Sequence, residues 1–249
     1  VSVLAKSNTI DYLTFNCQEE PFNNKKLRQA VRYALDKETI IGFLGQTEII
    51  NGPLPDSSWG SNPDKDFKSF NLDRARELMA EAGYADGLEV TLKLWSNDTQ
   101  RSDMALLVKE MLAKINIDVK LEVVEIGTLF QQLMQNDFEF ASMHWGGGDS
   151  LDPNGNLQVL FNSQGQYNWI TNYKNEKVDV LLQKALESID KKERQQLYWE
   201  AEKLIIDDQP MIWFGRFIDY IGYANYVHGV EPLRPAGYVP VFENLWIEK

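Results

Sequence analysis

The sequence has one cysteine and two histidines in 249 residues. With Cys17 alone, no internal disulfide framework forms and no cysteine-rich zinc site can be assembled. The compartment stays open, because many secreted bacterial-type proteins also lack disulfides. His144 and His228 are too few for most histidine-based metal clusters. Positive charge is also short: 25 Lys+Arg stand against 37 Asp+Glu, a net charge of −12. A surface of that sign repels phosphate backbones, which argues against nucleic acid as a partner. No apolar run approaches the roughly 20 residues of a membrane-spanning helix. There is no G-x-S-x-G elbow, no Walker loop and no G-x-G-x-x-G after a strand. The opening Val1-Ser2-Val3-Leu4-Ala5 has no initiator Met, basic n-region or signal core. The expectation is a chain that starts after processing or is excised from something longer.

What is present has the balance of an ordinary globular protein, 43% hydrophobic and 25% charged. A chain of this length can bury a sizeable core. Thr9–Asn16 is rich in β-formers and predicts a strand. Leu27, Ala30, Val31, Ala34 and Leu35 form one apolar stripe of a helix that Asn23 or Asn24 caps. Asp36 caps a short second helix ended near Gly45. From Asn51 to Phe70, prolines and glycines predict an extended loop, with Trp59 as its packing anchor. Asn71 caps a helix that stops at Gly83.

A β-α-β pattern follows. Leu88, Val90, Leu92 and Leu94 alternate with polar residues, as do Ile117, Val119, Leu121 and Val123. Between them Met104, Leu107, Val108, Met111 and Leu112 keep helical spacing, so the two strands share one sheet through a crossover. A short helix around Leu129–Met134 and a strand over Phe138–Trp145 come next. Pro153–Phe161 predicts a short helix, and two amphipathic helices run through Val178–Ile189 and Leu197–Ile205. Met211–Tyr223 is apolar and aromatic and predicts a strand pair. The stretch from Val227 to Lys249 has too little periodicity for a core of its own.

The densest chemical signal is Met143-His144-Trp145-Gly146-Gly147-Gly148-Asp149-Ser150-Leu151-Asp152-Pro153. It follows a strand, where α/β sheets place ligands, and successive glycines let a ligand approach the backbone. An acid there suits a cationic group such as an amine. Asp152, directly before Pro153, fits a helix cap. Asp149 and Asp152 as an acid/base pair, or with Glu139 as a metal site, have no support from spacing. His144 fits a structural imidazole and Cys17 a small buried side chain. Arg101 begins a helix and either meets a ligand carboxylate or is solvated. Trp169, Tyr173, Trp213 and Phe214 either line a cleft or belong to the core.

With these residues in place, the chain resembles the extracellular solute-binding proteins of the oligopeptide/dipeptide/nickel class (family 5) that serve ABC importers. Tyr12–Gln18 with Pro21-Phe22-Asn23-Asn24 and Leu27–Val31 is similar to the family's strand, turn and helix. Ala34-Leu35-Asp36-Lys37, Gly52-Pro53-Leu54-Pro55 with Trp59-Gly60, and Asn71–Tyr84 continue it in order. Trp145–Pro153 resembles W-x-x-D-x-x-D-P, with three residues rather than two between Trp145 and Asp149.

The resemblance covers the family's C-terminal half. It implies an α/β lobe of the periplasmic-binding-protein type II kind, a mixed sheet flanked by helices. Residues 1–9 would then be an incoming hinge segment from a missing N-terminal lobe. Residues 10–221 would be the ligand-binding lobe, and 222–249 a tail returning to the missing lobe. It further implies a non-catalytic receptor that closes on an oligopeptide or dipeptide and partners a membrane permease. Such a receptor works in the periplasm or lipid-anchored outside the cell, with no cofactor. Nickel chelate, opine, glutathione or oligosaccharide are the alternative ligands. A hydrolase with paired Asp149/Asp152 is the distant one. The resemblance makes Asp149 the grip on a ligand α-amino group and the Trp145-Gly146-Gly147 backbone the edge beside a peptide. Asn16 and Arg101 complete the expected site.

Overall fold

The computed structural model describes residues 2–45, 49–56, 58–65, 70–145, 152–230 and 245–248. In order they form β1 (Ser2–Phe15), α1 (Lys25–Ala34), α2 (Lys37–Phe43), α3 (Leu72–Glu81), β2 (Leu88–Trp95) and α4 (Thr99–Ala113). Then follow β3 (Ile117–Val124), α5 (Ile126–Met134), β4 (Phe140–Trp145), α6 (Asn154–Phe161), α7 (Glu176–Glu187) and α8 (Lys191–Asp208). The chain ends in β5 (Met211–Gly222) and the short β6 (Val227–His228) and β7 (Trp246–Ile247).

The helix starts follow the sequence closely. Asn24, Asp36, Asn71 and Asp98 each accept a backbone N–H in the first turn of α1, α2, α3 and α4. Each satisfies one of the donors a helix start leaves unpaired. Gly45 and Gly83 stand just past α2 and α3 at φ of +66° and +90°, a left-handed conformation that favours glycine.

The main sheet has five strands in the order β3-β2-β4-β1-β5. β2 pairs in parallel with β3 and with β4, while β1 runs antiparallel to β4 and β5. The sheet is therefore mixed, and β2-α4-β3 is the expected crossover unit. β1 is longer than Thr9–Asn16. Its first residues, Ser2–Lys6, pair with Ile218–Gly222 of β5, with a register shift before Ile10. Residues 2–9, expected as an incoming segment, thus lie in this strand. Met211–Gly222 is one continuous strand and not a pair, because β1 supplies a partner along nearly its whole length.

The core lies between the sheet and the helices. Leu27, Ala30, Val31 and Ala34 of α1 are fully buried, as are Leu92, Leu94, Ile117 and Val119 from the sheet. Phe15, Phe22 and Phe140 form a ring cluster with centroids 4.7 to 6.2 Å apart. Arg28 is buried too. Its guanidinium donates to the Phe22 and Asp208 carbonyls at 2.6 and 2.7 Å, tying α1 to the end of α8. The ribbon of β6 and β7 stands apart in composition, with Tyr226, Trp246 and Ile247 exposed.

Candidate functional site

Three parallel strands end together at Trp95, Val124 and Trp145, and this edge of the sheet positions the site. β1 and β5 run on past it. Ile10 pairs with both Trp145 and Arg216, whereas Ser2–Lys6 pair with β5 alone.

The helices that start at this edge are capped by acids. Asp98 accepts the Arg101 N–H at 2.9 Å, and Glu125 accepts those of Gly127 and Thr128 at 2.7 and 3.2 Å. A helix N-terminus attracts anions through its free N–H groups and its dipole. Here carboxylates of the chain itself already occupy that role. Asp98 is partly buried and also pairs with Arg101 Nε at 3.3 Å, so Glu125 is the exposed carboxylate of the two.

Beneath this edge lies Arg101, 3% exposed. Its guanidinium donates to Asp11 Oδ1 at 3.0 Å, Ser142 Oγ at 3.0 Å and Asp98 Oδ2 at 3.3 Å. It also stacks on the Trp95 ring at 3.9 Å and lies 3.4 Å from His144 Nδ1. Of the two roles expected for Arg101, ligand contact or solvation, the structure displays neither; the residue is an internal tie between α4, β1 and β4. A sequence signal existed: Arg101 is three and four residues before Met104 and Ala105, on the buried stripe of α4. Partial burial, then the Arg101 guanidinium, push the His144 pKa below its ordinary value.

Trp145 is half-buried at the tip of β4. Its Nε1 donates to Asn156 Oδ1 at 2.9 Å, which ties β4 to the first turns of α6. Its ring meets Tyr167 edge to face at 5.1 Å, and Tyr167, Trp169 and Phe130 continue the row at 6.3 and 6.1 Å. Trp169 is part of this surface row, whereas Tyr173, Trp213 and Phe214 are core. Gly146, Gly147 and Asp149 lie outside the described residues.

Asn16 is wholly buried. Its Nδ2 donates to the Asn136 and Phe138 carbonyls at 3.3 and 3.1 Å, and its Oδ1 accepts from Gln18 N and Asn172 Nδ2. That network clasps three loops at the far end of β1, away from the strand-end rim, so the expected ligand contact gives way to a structural one. Cys17 is buried, and burial raises its thiol pKa to about 11, which leaves it a poor nucleophile.

The N-cap of α6 is Pro153, which makes no side-chain cap bond, so Asp152 stands one residue outside the expected capping position and accepts the Asn154 N–H at 3.0 Å from there. Its two oxygens also accept from Arg194 Nη2 at 2.9 and 2.8 Å, with Tyr198 Oη at 3.3 Å. Arg194 further donates to the Ala185 carbonyl at 3.0 Å and faces the Trp59 ring at 5.3 Å. Gln195 Nε2 holds the Trp59 carbonyl, so Trp59 is the packing anchor of its loop. Glu139 lies at the opposite end of β4 and accepts the Thr91 N–H, so the structure does not bring it to Asp152. Among the described residues, no group of three His, Cys, Asp or Glu side chains is placed to hold a metal ion. No helix among them is long and apolar enough to cross a membrane.

Residues 2–168 match the family described as bacterial extracellular solute-binding proteins, family 5 Middle. The chain is 32% identical to the oligopeptide-binding protein AppA of Bacillus subtilis over 219 residues, 80% of this chain and 40% of that protein. It is 28% identical to heme-binding protein A of Haemophilus influenzae over 243 residues, 94% of this chain and 44% of that one. The solved structure of the periplasmic binding protein DppA from Helicobacter pylori, in complex with the peptide STSA, superposes with a TM-score of 0.86 at 28% identity. That match covers 100% of this chain and 49% of that structure. The chain thus spans about half the length of the relatives it matches.

Proposed function

The chain belongs to the bacterial extracellular solute-binding proteins of family 5, and from that premise we propose that it is the ligand-binding C-terminal lobe of a peptide receptor. The receptor delivers its peptide to the membrane permease of an ABC importer and catalyses nothing. The observation that carries this reading is the edge where β2, β3 and β4 finish, at the end of β4 just before the Trp145–Asp149 run. Asp98 and Glu125 already occupy the helix starts there, and Asp149 follows Trp145 by four residues in sequence. A carboxylate following a strand end suits the α-ammonium group of a peptide. Asp149 is its anchor, and the backbone of Trp145, Gly146 and Gly147 lies beside the peptide chain.

Residues 10–221 form the lobe in this reading, and the paired ends of β1 and β5 lead to a second lobe that lies outside the chain. Residues 222–249 return to that lobe, which supplies the cover for Tyr226, Trp246 and Ile247. The receptor works in the periplasm or as a lipid-anchored protein at the cell surface. A second reading keeps the importer and changes the ligand to heme, favoured by the name of the Haemophilus influenzae relative.

The test uses the full-length protein. Replacing Asp149 by Ala removes one partner of a charge pair, which weakens peptide binding by about 30-fold or more in titration calorimetry. Wild-type affinity in Asp149→Ala overturns the amine anchor. Native mass spectrometry of the protein purified without added ligand separates the two ligands: co-purified peptides support the first reading, heme the second.

A further inference from the structure

Two Asn–Gly pairs occur in the sequence, Asn51-Gly52 and Asn154-Gly155, and the fold treats them in opposite ways. Gly155 lies in the first turn of α6, where its N–H donates to the Asp152 carbonyl at 3.0 Å. The Asn154 Oδ1 beside it is buried and accepts no hydrogen bond. Asn51 and Gly52 stand outside any helix or strand. Among the described residues the Gly52 N–H donates to no acceptor. The preceding Ile50 N–H is held by the Phe214 carbonyl at 2.8 Å, and Asn51 faces Lys37, the first residue of α2. Lys37 Nζ donates to Asn51 Oδ1 at 3.2 Å and to the Ile50 carbonyl at 3.4 Å. Asn51 is partly exposed, so water reaches it.

We propose that Asn51-Gly52 is a self-modification site at which Lys37 promotes loss of the Asn51 amide. The Gly52 nitrogen attacks Asn51 Cγ, and the new C–N bond closes a cyclic imide. The side-chain nitrogen leaves as ammonia, taking the Gly52 proton. Water then opens the imide at one of its two carbonyls and leaves aspartate or isoaspartate at position 51. Glycine puts no Cβ in the way of ring closure, and its backbone turns freely. As Cγ becomes tetrahedral its oxygen gains negative charge, and Lys37 Nζ, already bonded to that oxygen, stabilises it. The product is favoured by the same neighbour. Burial, then the Arg32 charge, hold the Lys37 pKa well below its ordinary value, and both of its present acceptors are neutral. A carboxylate at position 51 supplies a counter-charge. The helical pair meets neither condition: its glycine nitrogen is bound and its amide oxygen has no donor.

The experiment incubates the full-length protein, folded, at mildly alkaline pH and follows residues 51 and 154 by digestion and mass spectrometry. Asn51 converts to a mixture of aspartate and isoaspartate while Asn154 keeps its amide. In urea, where sequence alone acts, the two pairs convert at comparable rates. Lys37→Met removes the donor on Asn51 Oδ1 and slows conversion in the folded protein about tenfold, with no change in urea. A folded wild type in which Asn51 keeps its amide, or in which Asn154 converts as fast, overturns the proposal. An unchanged rate in folded Lys37→Met overturns the role of Lys37. Should that variant fail to fold, Asn51→Asp places the product charge directly beside Lys37. It raises the midpoint of thermal unfolding by roughly 1–4 °C, and a midpoint at or below that of the wild type overturns the same role.

Discussion

Gly60→Ala tests the packing of the proline-rich loop against Pro153 and Tyr198. The added methyl would lie 2.2 and 2.9 Å from Pro153 Cγ and Cβ and 3.2 Å from Tyr198 Cδ2. A proline ring has no free rotation with which to yield, so backbone must move by about 1 Å to restore ordinary contact. Overpacking of this kind costs about 1–3 kcal/mol. The displaced carboxylate also weakens the Asp152–Arg194 pair, whose side chains are 40% and 22% exposed; that adds roughly 1 kcal/mol or less after solvent screening. At about 2–4 °C per kcal/mol for a chain of this size, the midpoint of thermal unfolding falls by roughly 2–16 °C. Gly42→Ala is the control of opposite sign. Gly42 is in α2 with nothing within 4 Å of its added Cβ, so alanine stabilises by up to about 1 kcal/mol. A Gly60→Ala protein that melts within a degree of wild type would falsify the steric reasoning and show Pro153 to be loosely held.

Two further outcomes follow from buried charges. Burial raises the Glu202 pKa to about 7 although Lys65 Nζ stands 3.2 Å away. Its stabilising contribution is full below its unfolded value of 4.5 and is lost as pH rises through 7. The shift amounts to roughly 3 kcal/mol. Chemical denaturation between pH 4.5 and 8 should show that fall, and Glu202→Gln should flatten it; a parallel slope in the variant refutes the assignment. Arg101→Met removes one partner of the 3.0 Å pair with Asp11, both side chains 3% exposed, at a cost of about 3–5 kcal/mol. The double variant with Asp11→Asn should recover part of the loss in urea titration, and an additive double mutant refutes the pairing.

The elements with strong local signals were legible in the sequence. The period-2 alternation of Leu88–Leu94 and Ile117–Val123 gave β2 and β3, and the caps Asn24, Asp36 and Asn71 gave three helix starts. Long-range partners were not. Residues 2–6 carry no β pattern of their own, and they are strand only because Ile218–Gly222 lies beside them. The same pairing turns an apparent strand pair into the single β5. In the site, the strand-end position of Trp145 was legible, whereas the helix start falls at Pro153, one residue later than the expected cap Asp152. The partners of Arg101 and Asp152 are Asp11 and Arg194, and no local window contains either pair. Asn16 has the polarity of a contact residue, yet apart from the local bond with Gln18 N its side-chain hydrogen bonds go to loops that only the fold brings together.

The pairing of Ser2 with Gly222 also has a mechanical side. Because Ser2 and Gly222 face each other on the last rung of one antiparallel ribbon, a pulling force applied at those two points loads the rungs one at a time. The ribbon peels like a zipper, instead of resisting as a set of bonds strained in parallel. Tension applied there would thus be relieved by opening the ribbon toward the register shift before Ile10. The five-stranded sheet and the strand-end rim beyond it would feel that load last.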